Sequence, residues 1–119
     1  MQTWLRGQVL DDLRISDWVV TEFASALSLK VRSGQLLADQ RRMVADLFKR
    51  TIIDAVTVLP VTRVHFQMAA RLLEQSALGL RSGDALHLAV AAEEGATVCT
   101  RDRTLVGAAV ALGQRAELV

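Results

Sequence analysis

The ten residues Gly83–Ala92, "GDALHLAVAA", set the strongest limit on how this chain can fold. At helical spacing they are apolar nearly all round, with only Asp84 and His87 breaking the pattern. A helix with apolar side chains on every side must be covered on both sides to be stable in water. In a chain of 119 residues, enough for one compact domain spanning 1–119, such a helix belongs in the interior. An acid near the start of so apolar a helix then needs a reason.

The flanking sequence supplies the covering layers. "QTWLRGQVLDD" has loose helical spacing, weakened by Gly7, and "LRIS" (13–16) reads as a short strand. From Asp17 a helix carries Val19, Val20, Phe23, Leu27 and Val31 on one stripe and stops at Gly34. The run 36–55 reads as a second amphipathic helix with Met43, Val44, Leu47, Phe48 and Ile52 on its inner face. "AVTVLPV" (55–61) is β-branched and reads as a strand that Pro60 ends. Thr62 then caps a helix whose inward residues are Phe66, Ala69, Ala70 and Leu73. After the Gly79 loop and the apolar helix come the strand "ATVCT", a helix closed by Gly113, and the strand "RAELV". Helices alternating with short buried strands predict an α/β domain around a mainly parallel sheet.

Composition removes several function classes. Fourteen Lys and Arg against thirteen Asp and Glu give a formal charge of +1, without the basic excess of a non-specific nucleic-acid binder. The single Cys99 excludes an internal disulfide framework and a cysteine-based zinc site, and it fits a reducing cytoplasm. No uninterrupted apolar run reaches the ~18 residues of a membrane span, and the N-terminal residues lack a signal peptide's apolar centre. A cytoplasmic protein with no membrane partner is expected.

In open parallel sheets, chemistry collects beyond the carboxyl ends of the strands. Three acids fall there: Glu22 one turn into the helix after "LRIS", Asp84 in the first turn of the apolar helix, and Asp102 directly after "ATVCT". Two have a purely structural alternative. An acid in a first turn gains ~0.3–1 kcal/mol from the helix dipole, with Ser82 as the cap before Asp84, and Asp102 is itself a candidate cap. Glu22, between Val20 and Phe23, sits near the buried edge of its helix, where an unpaired charge is costly. Three convergent carboxylates repel one another, so some would hold protons unless a cation sits among them, and hard oxygen ligands suit Mg²⁺ or Mn²⁺. Arg81, Arg101 and Arg103 flank two of the acids and could meet phosphate, although solvated surface arginines look the same in sequence. His87 reads as a packed, hydrogen-bonded histidine and His65 as a surface one.

"ISDWVVTEFASAL" and "LRSGDALHLAVAAEEGATVCTRD", at this spacing, resemble the PIN domain, and within it the VapC-type toxins of bacterial toxin–antitoxin pairs. The likeness covers essentially the whole chain. It implies a three-layer α/β fold and a Mg²⁺- or Mn²⁺-dependent endoribonuclease toxin with four acids around the metal. Three of these map to Glu22, Asp84 and Asp102, with Thr100 as a supporting hydroxyl. It also implies an RNA substrate, a VapB-like antitoxin and a homodimer.

The chain departs from the family at its start. VapC-like chains open with a strand ending in an aspartate, and that strand lies in the middle of a sheet ordered 3-2-1-4-5. Here Met1 already lies in what resembles the first helix, and Asp11 and Asp12 come at that helix's far end. The fourth acid and the central strand therefore have no counterpart. A misplaced start codon is the favoured expectation, ahead of a true truncation or a strand supplied by another chain. Residues 1–119 alone are expected to be poorly active and poorly stable. The alternative is a catalytically degenerate PIN-like module that binds an antitoxin or dimerises. A third reading is a generic α/β domain whose acids only start helices.

Overall fold

The computed structural model describes residues 2–119, with side chains from Trp4 onward. The chain forms two compact units, Gln8–Pro60 and Met1–Gly7 together with Val61–Val119.

In the Gln8–Pro60 unit, a 3₁₀ turn at Leu10–Asp12 leads into strand β1 (Arg14–Ser16) and directly into helix α2 (Asp17–Arg32). Helix α1 (Gln2–Arg6) precedes it in sequence and belongs to the other unit. The helix expected from Gln2 to Asp12 is thus broken at Gly7, which lowers helix propensity where few tertiary contacts could restore it. Ser16 joins strand to helix without a loop. It is buried, and its Oγ accepts a hydrogen bond from the Val19 N–H at 3.4 Å. Along α2 the expected stripe forms, with Leu27 buried and Val19, Val20, Phe23 and Val31 half-buried. Gly34 at φ +78° supplies the left-handed turn after the helix.

Helix α3 (Ala38–Phe48) begins where Gln40 Oε1 accepts from the Leu37 N–H at 2.9 Å, and it loosens into a π-helical turn at Lys49–Ile53. Strand β2 (Thr57–Leu59) closes the unit in parallel with β1, pairing Ile15 with Val58. Only part of the inner face expected for this helix is covered. Phe48 stacks on Phe23 with ring centroids 3.8 Å apart, turning that side of α3 toward α2. Met43 lies about 140° round the helix from Phe48, and it and Leu47 remain exposed.

The second unit holds the core. Helix α4 (Arg63–Leu73) packs on helix α5 (Ser82–Glu94), which strand β3 (Val98–Thr100), helix α6 (Arg103–Ala111) and strand β4 (Ala116–Leu118) follow. As its sequence requires, α5 is covered on more than one side: Ala85, Leu86, Leu88, Ala89 and Val90 are all buried. Leu88 is fully buried against Leu105 and Ala109, with Leu72, Leu80, Val98 and Leu112 packed around them. Burial of one such leucine stabilises the fold by about 1.5–3 kcal/mol. Gly95, at φ +63°, ends α5.

The inward face of α4 is rotated from the expected one. His65 and Ala69 are buried, whereas Phe66 and Ala70 are exposed. The cause is the helix start. Thr62 is the N-cap residue, as expected, but its N–H donates to His65 Nδ1 at 2.9 Å. His65 is therefore not a surface residue. Its ring is buried, with Nε2 2.7 Å from Glu93 Oε2 on α5 but out of line for a hydrogen bond.

The α/β class with parallel strands is as expected. The pairing forms two two-stranded parallel sheets, β1–β2 and β3–β4. Val98 N–H donates to Arg115 C=O, and Val119 N–H donates to Thr100 C=O. In a parallel ladder alternate residues face opposite edges, so the Cys99 N–H and C=O point away from β4. Among the described residues, no helix is long and apolar enough to cross a membrane.

Candidate acidic site

Asp102 ends the loop after β3 and starts α6. Its Oδ1 accepts from the N–H groups of Thr104 at 2.9 Å and Leu105 at 3.3 Å, so the expected capping role is present. Thr100, the supporting hydroxyl of the sequence reading, acts on the same turn: its Oγ1 accepts from the Asp102 N–H at 3.1 Å. Two bonds to one oxygen fix the carboxylate. Oδ2 makes no hydrogen bond or ion pair among the described residues.

Asp84 stands in the first turn of α5, half-buried. Its Oδ2 accepts from the Arg81 N–H at 3.1 Å. The helix therefore starts one residue earlier than expected: Arg81 is the N-cap residue, not Ser82. The cap comes from the third helical residue reaching back, so a non-capping residue at Arg81 is tolerated. Asp84 and Asp102 thus share a design. Each is a carboxylate at the start of a helix of the same unit, with one oxygen committed to backbone N–H groups.

Glu22 is placed differently. It belongs to the Gln8–Pro60 unit and is exposed on α2, not near a buried edge as its neighbours suggested. Val20 and Phe23 are themselves only half-buried, so the edge of the stripe lies in solvent. Among the described residues, no three His, Cys, Asp or Glu side chains are grouped so as to hold a metal ion. The donor chemistry at Asp84 and Asp102 still fits Mg²⁺, which is often bound by one or two carboxylates and keeps several waters.

Arg81, Arg101 and Arg103 are exposed at these two helix starts, and among the described residues their guanidinium groups make no ion pair. The basic residues of α3 and its π turn differ. Arg42, Lys49 and Arg50 pair with Asp39, Asp54 and Asp46. His87 is half-buried on α5. Sequence reasoning missed the His65–Glu93 contact, which needs the crossing of α4 and α5 to become visible. Cys99 is exposed, and its thiol is pushed above its ordinary range by partial burial and by the Glu117 carboxylate.

A family model described as "PIN domain" matches residues 2–110 and so runs through both units. Two solved structures are similar over nearly the whole chain. The crystal structure of FitAcB from Neisseria gonorrhoeae matches with TM-score 0.76 and 20% identity, covering 97% of this chain and 81% of that one. The structure of FitAB bound to an IR36 DNA fragment matches with TM-score 0.76 and 18% identity, covering 98% of this chain and 80% of that one. No curated protein matches the sequence.

Proposed function

The chain belongs to the PIN-domain family, and on that basis we propose that it is a VapC-type, metal-dependent endoribonuclease of a toxin–antitoxin pair. PIN domains are generally nucleases and generally use divalent metals. The observation that carries the reading is the state of the two helix-start carboxylates. At Asp102 both capping bonds fall on Oδ1, and Oδ2 makes no hydrogen bond or ion pair among the described residues, which leaves one carboxylate oxygen open to a cation.

In this reading Asp84 and Asp102 hold Mg²⁺ or Mn²⁺, with Glu22 as a further acidic group. When bound, the metal supplies a more acidic water and offsets charge on the phosphodiester. The protein's own part is positional. The α6 N-terminus fixes the Asp102 carboxylate, and Thr100 fixes the turn that carries it. Arg81, Arg101 and Arg103, without an ion pair among the described residues, meet backbone phosphates of RNA without reading sequence.

Each sheet reads as incomplete. A two-stranded parallel sheet is rarely stable alone, the Cys99 backbone groups point away from β4, and Trp18 just beyond β1 has a buried Nε1 without a hydrogen-bond partner among the described residues.

The test is incubation of purified protein with labelled RNA and Mg²⁺ or Mn²⁺, alongside Mn²⁺ titration by calorimetry. Cleavage and Mn²⁺ binding should both be lost on Asp84→Asn, and cleavage should stop with EDTA. Cleavage indifferent to EDTA, or Mn²⁺ binding unchanged by the substitution, rejects the reading.

A further inference from the structure

Helix α4 is closed at its start by a side chain that can lose its acceptor. His65 holds the third helical position, where a capping box usually places Glu or Gln to accept the N–H of the N-cap residue. An amide oxygen accepts whatever the pH. An imidazole accepts only while one ring nitrogen is bare. Here that nitrogen is Nδ1, 2.9 Å from the Thr62 nitrogen, so the capping bond places the neutral ring's proton on Nε2. The ring is 3% exposed, which leaves water little room to take over the cap.

A second set of partners suits the charged ring. An imidazolium has an N–H on both nitrogens, and burying it is costly unless the charge is paired and hydrogen-bonded. Nε2 lies 2.7 Å from Glu93 Oε2, near the end of α5, yet it makes no hydrogen bond among the described residues in the present arrangement. The Glu93 side chain is 51% exposed, so its carboxylate can turn into line. At the other nitrogen, Thr62 Oγ1 is 3.3 Å from Nδ1 and can accept from an Nδ1–H. Among the described residues, Glu93 is the charged group in contact with the ring, and it comes from α5, the helix packed on α4. Each protonation state thus has its own set of bonds.

We propose that His65 is a proton-operated switch at the start of α4. Neutral, it caps Thr62. Protonated, it pairs with Glu93 and with Thr62 Oγ1, and the Thr62 N–H is released. The first turn of α4 then loosens and extends the connection from β2, while the ring still ties α4 to α5. The inference goes beyond the nuclease reading and does not depend on it.

The experiment is ¹⁵N NMR of the purified chain from about pH 8 to about pH 5, the range in which histidines change charge. Long-range correlations of the His65 ring should show Nδ1 bare and Nε2 protonated at the upper end, and both protonated at the lower end. The Thr62 amide proton should shift upfield as its bond is lost, with the same midpoint as the ring. In Glu93→Gln both midpoints should move together to lower pH, because the charged ring loses its partner while the cap is untouched. In His65→Gln, which keeps a capping acceptor throughout, the Thr62 amide should not titrate. The parent and Glu93→Gln curves decide the matter even where His65→Gln does not fold. A protonated Nδ1 at pH 8 overturns the proposal, as does a ring that stays neutral to pH 5. A Thr62 amide that stays fixed while the ring titrates, or midpoints unmoved in Glu93→Gln, overturns it too.

Discussion

Asp102 offers the sharpest separation of a structural from a chemical role, because two substitutions at this one position remove different things. Asp102→Ala deletes the acceptor for the Thr104 and Leu105 N–H groups and leaves both without an intrahelical partner. Loss of an N-cap side chain costs about 0.5–2 kcal/mol, with a central value near 1. For a domain of this size, that lowers Tm by roughly 4–6 °C. Asp102→Asn keeps the capping oxygen, since Asn caps about as well as Asp, and forfeits only a charge–dipole term of ~0.3–1 kcal/mol at an exposed site. The Asn variant should therefore melt within ~1–3 °C of the parent, and clearly above the Ala variant. If the cap were the whole role of Asp102, Asn would preserve every other property as well. If the carboxylate also holds a cation, Asn loses Mn²⁺ binding and RNA cleavage while keeping its stability. Differential scanning calorimetry paired with Mn²⁺ titration of the three proteins reads both axes. The reasoning fails if Asn and Ala destabilise equally, or if the Asn variant binds Mn²⁺ as the parent does.

Two further outcomes follow from the same structure. His65→Ala should destabilise the chain by about 1–3 kcal/mol in urea melts, because the buried ring accepts the Thr62 N–H and nothing else replaces it; a change below a few tenths would mean the α4 start is capped by solvent. The Cys99 thiol is raised, and the thiolate is the reactive form, so alkylation by iodoacetamide at pH 8 should be slower than for free cysteine. Its pH–rate profile should move to lower pH in Glu117→Gln, which removes the repelling carboxylate while leaving partial burial, the larger cause. An unmoved profile would show that Glu117 does not act on the thiol.

Much of the fold was legible because its strongest signals are local. A segment apolar on every side, Gly83–Ala92, could only be an interior helix, and five of its residues are buried. Every strand was marked by a β-branched or apolar run between helical periods, and Gly34, Gly95 and Gly113 fell where left-handed turns end helices. The errors lie where a pattern covers more arc than its neighbours can. Periodicity places Met43, Val44, Leu47, Phe48 and Ile52 on one side, but it does not say how much of that side a partner reaches. The α4 face was misjudged by one residue for a related reason. His65 is polar and was assigned to the surface, yet it replaces a cap and so carries the helix's inward direction.

Of the candidate site, the places of its acids along their helices were legible, and their geometry was not. Position along a helix can be counted in a sequence, which is why Asp84 was placed in a first turn and Asp102 named as a candidate cap, both as observed. The distance between acids carried by different elements cannot be counted, and Glu22 shows the consequence. Its neighbours in sequence suggested partial burial, whereas its helix face is open. The two explanations weighed for each acid were also never exclusive. A carboxylate has two oxygens, and a helix N-terminus needs one. At Asp102 both N–H bonds converge on Oδ1, which costs the group none of its charge and removes its rotational freedom. Holding a carboxylate this way before a cation arrives lessens the ordering that binding would otherwise require. On the proposed reading the cap preorganises a ligand, and a helix-start acid after a parallel strand can then carry both roles in one side chain.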